Sequence, residues 1–169
     1  MPITLYDITV PVFDRGLANL AALLEKGRAH AESGAVDAAA LLDARLAEDM
    51  LPLTGQVQRA SDTAKFAAVR LGGVANERFA DVETSFAELA TRIARTRAFL
   101  AAVPRQALEG KEFEMISATL GTTPTVLSAR DYALGFALPN FFFHVTTAYD
   151  LLRQAGVPIG KADYLGPMS

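Results

Sequence analysis

This chain has no cysteine. That excludes a disulfide framework, a thiolate nucleophile and any zinc or iron–sulfur site held by sulfur. No uninterrupted apolar stretch approaches the roughly 20 residues needed to span a bilayer. The opening Met1-Pro-Ile-Thr-Leu-Tyr-Asp7 lacks the basic start and apolar run of a secretory signal, so a cytoplasmic protein without membrane contact is expected. Excess positive charge is missing too: the net charge is −3, which argues against a dedicated nucleic-acid binder. There is no G-x-S-x-G element for a serine hydrolase. The run Gly156-Val-Pro-Ile-Gly160-Lys161-Ala162 is one residue too short between glycines for a phosphate loop and follows a helix, not a strand.

What is present is a full domain's worth of apolar residues. With 169 residues, 51% hydrophobic and 21% charged, the chain can bury a core unaided, and it reads as a single domain over 1–169. Thr4 and Asp7 have the spacing of a capping box opening a long helix, with a buried stripe of Leu5, Ile8, Val12, Gly16, Leu20, Leu23 and Leu24. Pro11 inside that pattern predicts a kink or a broken first turn. A short helix is expected from Asp37 to about Met50. Pro52 then sits at the first position of another, whose stripe is Leu53, Val57, Ala60, Ala64, Ala67 and Leu71 before Gly72-Gly73. Asp81 is the expected N-cap of a third long helix carrying Val82, Phe86, Leu89, Ile93 and Leu100, stopped by Pro104. Arg92, Arg95, Arg97 and Arg105 on it read as a solvated face, since Glu83 and Glu88 are near and no aromatic platform accompanies them.

Between Lys111 and Arg130 the helical period disappears. Phe113, Met115 and Ile116, then Val126 and Leu127, flank Gly121-Thr-Thr-Pro124, which predicts a β-hairpin. A final helix begins near Asp131 or near Asn140, ends at Gly156 and Pro158, and is followed by a tail that packs back. The fold class is therefore mainly all-α: a four-helix bundle with a short β-hairpin insertion before the last helix.

The last helix is apolar on nearly every side and belongs inside the bundle. Its stripe of Phe141, Val145, Ala148 and Leu152 is the core face. Phe142, Thr146, Tyr149 and Arg153 form a half-covered flank suited to a subunit contact. Asn140, His144, Thr147 and Leu151 share a third line, and inward polar groups there must be bonded or hold a ligand. An i, i+4 pair can present a metal, although an Asn carbonyl is a weak donor and a further ligand would be needed. Gln56, Glu48 and Asp49 are the candidates, with Asp49 and Gln56 on one face if the helix runs through Pro52. The candidate ligand-binding residues are thus Gln56, Asn140, His144 and Asp49, with His144 the candidate metal ligand. His30, the other histidine, reads as helix C-terminal surface.

At these residues the sequence resembles a known family. Ala47-Glu-Asp-Met-Leu-Pro52, Gln56-Val-Gln58, Leu138-Pro-Asn-Phe-Phe-Phe-His144 through Arg153, and Gly156-Val-Pro-Ile-Gly-Lys161 resemble a bacterial family of unknown function within the DinB/YfiT-like metalloenzyme superfamily. The resemblance spans essentially the whole chain. It implies a DinB-like four-helix bundle, commonly a homodimer. It also implies a divalent metal such as zinc or nickel on three histidines, one from the second helix and an H-x-x-x-H pair from the last. Here the pair stands as Asn140-x-x-x-His144, and the second-helix position falls near Gln56. Only His144 matches. Three functions compete at this point: a small-molecule-binding bundle with a remnant pocket, a metal-dependent hydrolase or transferase, and a structural homodimer.

Overall fold

In a computed structural model, which describes residues 3–167, four long helices close a ring around one apolar core. They are α1 (Val10–Glu32), α3 (Leu53–Gly72), α4 (Phe86–Ala101) and α6 (Leu138–Gln154), with a short α2 (Ala38–Asp43) between the first two. Helix α1 packs on α4 and α6, and α3 packs on the same two, so α1 and α3 face each other across the ring. The strands β1 (Met115–Leu120) and β2 (Thr123–Ser128) pair antiparallel, with Ser117 opposite Val126 and Leu120 opposite Thr123. This is the mainly helical bundle with a hairpin that the period predicts. No helix among the described residues is long and apolar enough to cross a membrane.

The local reasons differ from element to element. The Asp7 carboxylate accepts from the Thr4 backbone N–H (3.0 Å) and hydroxyl (2.8 Å), as a capping box does, yet α1 starts only at Val10. Pro11 is the cause: without an N–H it cannot extend the turn begun at Thr4, and it is tolerated only as a first-turn residue. Close helix approach is built from missing side-chain volume. A Cβ on Gly16 would lie 2.4 Å from the Phe141 ring, and one on Gly27 would lie 2.7 Å from Leu152. Ala60, Ala64 and Ala67 give α3 a matching flat face.

Three sequence expectations require correction. The helix at Asp37 does not reach Met50. It ends at Asp43, and residues 44–52 are irregular, tied to α3 by Leu53 N–H on Ala44 O and the Thr54 hydroxyl on Leu42 O. Asp81 does not cap α4: Ser85 does, accepting from Glu88 N–H, and Val82 is 73% exposed instead of lying in the core. The two candidates are four positions apart, and the cap is the one whose hydroxyl meets the N–H of the third helical residue.

The third correction concerns Arg92, which is buried. Its guanidinium bonds the carboxylates of Asp62 (2.8 Å), Asp81 (2.9 Å) and Glu83 (3.0 Å), and also the Ser61 hydroxyl and Ala80 carbonyl. Lys65, equally buried, donates to Glu77 O at 2.7 Å and stands over the rings of Phe66 and Phe79. Phe79 is the aromatic platform the sequence appeared to lack, with Arg95 4.3 Å above its centroid. Together these groups pin the loop between α3 and α4 to the bundle. Arg95, Arg97 and Arg105 remain exposed, and each is paired with a carboxylate.

The final helix has two parts. Ser128 caps α5 (Ala129–Tyr132) by accepting from Asp131 N–H, and a π turn at Ala133–Ala137 joins it to α6. There the Leu138 N–H reaches Ala133 O, five residues back. The wider turn lets the helix pass Pro139, which cannot donate. Both sequence-based starting points are therefore internal to one longer helical run. On the expected flank Phe142 and Tyr149 are half-covered while Thr146 and Arg153 are exposed, and the chain's own α7 (Lys161–Leu165) packs beside them. Tyr164 bonds the Thr146 hydroxyl and meets the Tyr149 ring edge-on.

Candidate functional site

Helices α3 and α6 run antiparallel, which brings Gln56 to His144 at one level and Thr63 to Asn140 at another. On α3, Gln56 and Thr63 are two turns apart on one face, with Arg59 between them. On α6, Asn140 and His144 are one turn apart. Three of the four expected site residues thus come together.

The hydrogen bonds fix the polarity of each group. The Gln56 amide nitrogen donates to Leu51 O at 3.0 Å, so its carbonyl Oε1 faces His144 Nδ1 at 2.7 Å. A carbonyl only accepts, so Nδ1 carries the proton and Nε2 keeps its lone pair. In the same way, the Thr63 hydroxyl donates to Arg59 O at 2.7 Å and accepts from Asn140 Nδ2 at 2.8 Å, leaving the Asn140 carbonyl oxygen uncommitted. Neither His144 Nε2 nor Asn140 Oδ1 has a partner among the described residues, and no buried side-chain nitrogen or oxygen among them is unpartnered. Both atoms therefore open to solvent. Both residues are half-buried, whereas Gln56 behind them is fully buried.

Burial, reinforced by the positive charge of Arg59, pushes the His144 imidazole down from 6.5 to about 4. Arg59 itself is held by Asp81 and Asp62. At neutral pH the site consequently presents two neutral acceptors beside a cation. A stability consequence follows. As pH falls below 6.5 the unfolded chain takes up a proton that the folded chain refuses until about 4. The folded state should lose on the order of 2 kcal/mol across that window, after discounting for partial exposure, and no more below it. Denaturation midpoints from pH 7 to pH 4 for the natural chain and His144→Gln check this. The variant's curve should be flatter by that amount, and parallel curves would contradict it.

Asp49 does not join the group. It is exposed in the irregular segment 44–52, and the helix through Pro52 that would have aligned it with Gln56 is absent. Glu48 is exposed in the same segment. Sequence reasoning missed Thr63 and Arg59, although their spacing from Gln56 along α3 was a usable signal. His30, near the end of α1, is half-buried and distant in role.

The donor set does not suit the divalent ion that the superfamily resemblance implies. One imidazole lone pair and one neutral carboxamide oxygen are available. Gln56 has both ends of its amide engaged, and the Arg59 charge opposes a cation. Among the described residues no group of three or more His, Asp or Glu side chains converges on a point.

Comparison with known proteins places this geometry in context. A family model described as "Domain of unknown function (DUF1993)" matches residues 5–165. Among solved structures, the crystal structure of a DinB family member protein from Shewanella denitrificans is 41% identical. The alignment covers 97% of this chain and 93% of that one, with a TM-score of 0.90. No curated protein matches.

Proposed function

Because the chain belongs to the DUF1993 family and its α3–α6 face ends in two outward neutral acceptors, we propose that it binds a small molecule at this face without a metal. The observation that carries the reading is the Gln56–His144 bond, which locks the tautomer and aims the Nε2 lone pair outward. The ligand class is set by what the site offers. Two acceptors one helical turn apart take a molecule with two N–H or O–H donors. The nearby Arg59 charge favours a neutral molecule over an amine or a metal cation. Phe143, 54% exposed and edge-on to the imidazole at 5.3 Å, adds an apolar wall for the rest of the ligand.

The test uses protein purified without a histidine tag and a library of neutral hydroxyl- and amide-bearing fragments, followed by NMR. Hits should shift the His144 ring signals, and their binding should weaken about tenfold or more in His144→Phe and in Asn140→Leu, as expected when a directed acceptor is removed. Fragments that bind equally well to both variants would refute the reading. So would stoichiometric zinc or nickel in the purified protein that is lost in His144→Ala, since that result would assign the site to a metal-dependent activity.

A further inference from the structure

A cavity lies two helical turns beyond Thr63 on the same side of α3, where Arg70 meets the hairpin. It has a volume of about 400 Å³ and is lined by Arg70, Ser117, Ala118, Thr119, Pro124, Thr125 and Val126. Among the described residues no carboxylate lines it. The Arg70 guanidinium makes no ion pair among the described residues. It is nonetheless firmly held. Its centre lies 5.3 Å from the Phe66 ring and 5.6 Å from the Tyr132 ring, and one NH2 group donates to the Tyr132 hydroxyl at 2.8 Å. Tyr132 is fully buried and stands immediately before the π turn, a feature that often marks functional sites.

The remaining polar groups are also uncommitted. The Ser117 and Thr119 hydroxyls make no bond to any described residue, whereas Thr125 turns back onto Thr123 O. An oriented guanidinium without an ion pair, in a cavity whose lining includes Ser117 and Thr119 and no described carboxylate, is complementary to an anion. A cation would find no balancing charge, and a neutral molecule would leave the guanidinium unpaired.

We propose that this cavity is a binding site for a small oxyanion, the carboxylate or phosphate end of a ligand, with Arg70 as its charge partner and Ser117 as a hydrogen-bond donor. Tyr132 acts as a positioning residue by holding the guanidinium. This site is independent of the α3–α6 face and stands or falls separately from it.

The experiment is a ¹H–¹⁵N NMR titration of the full chain with sodium phosphate, sodium acetate and sodium chloride at matched ionic strength. The Arg70 side-chain Nε–H and the amides of residues 117–126 should shift saturably with phosphate or acetate and not with chloride. The stronger of the two oxyanions identifies the source chemistry. Arg70→Gln should weaken binding about tenfold. Ser117→Ala, at an exposed position that leaves the core intact, should weaken it about threefold. Tyr132→Phe should reduce affinity while leaving the anion preference unchanged. Shifts reproduced by chloride, absent from the Arg70 Nε–H, or retained in Arg70→Gln would overturn the assignment.

Discussion

Replacing Arg92 with alanine is expected to destabilise the protein by about 3–5 kcal/mol, the usual cost of removing one partner from a buried ion cluster. The arginine side chain is 1% exposed, and those of its partners Asp62 and Glu83 are 14% and 10% exposed. The variant therefore leaves the largely buried Glu83 without a cation among the described residues, and leaves Asp62 and Asp81 to Arg59, with Lys65 at 3.9 Å from Asp62. This cost is not the cluster's net contribution, because desolvating three carboxylates and a guanidinium offsets most of their attraction. Replacing the whole cluster with apolar residues would be far milder.

The penalty also has a pH signature. Burial pushes the Glu83 carboxyl up, but hydrogen bonds from Gln58, the backbone and Arg92 outweigh it and hold it below the usual range. A carboxylate depressed in the folded state adds stability above its unfolded pKa and loses it as pH falls through the folded one. The difference between the natural chain and Arg92→Ala should accordingly shrink below about pH 4, where carboxylates protonate. Chemical denaturation at pH 7 and pH 3.5 reads both effects. A loss under about 1 kcal/mol at pH 7 would mean the cluster behaves as a surface pair.

Phe141→Ala is the other large effect, at about 3–5 kcal/mol. The ring is fully buried and packs edge-on against Phe13 at 5.0 Å and Phe142 at 5.2 Å. Its edge occupies the space over Gly16, so Gly16→Ala alone should cost about 1–3 kcal/mol by overpacking. The double variant supplies the decisive number. With the ring gone, the added methyl enters the vacated space, and the combined loss should fall short of the sum by about 1 kcal/mol or more. Strict additivity would show that α1 and α6 do not meet through this pair.

The bundle was legible because helical burial leaves a period in the chain. Leu20, Leu23 and Leu24 on α1, Leu53 through Leu71 on α3 and Phe141 through Leu152 on α6 all occupy the core that their spacing predicts. The hairpin was legible from the loss of that period around Gly121-Thr-Thr-Pro124. At the site, Asn140 and His144 lie one turn apart on α6 as their i, i+4 spacing requires, and Gln56 on α3 meets His144. Asp49 was misplaced because its alignment depended on a helix continuing through Pro52.

What the amino-acid order settled alone is the four long helices, most of their buried stripes, and the placing of Asn140 and His144 one turn apart on α6, because neighbours along a helix are fixed by its pitch. Which groups those side chains meet was decided only when helices distant in the chain came together. Arg92 looks like an exposed cation until α3 and the loop before α4 enclose it. His144 looks like a ligand in search of partners until Gln56 takes its Nδ1 proton in a hydrogen bond. Contacts between separate helices depend on their relative rotation and distance, here set by Gly16, Gly27 and the alanines of α3, and no local pattern encodes that geometry.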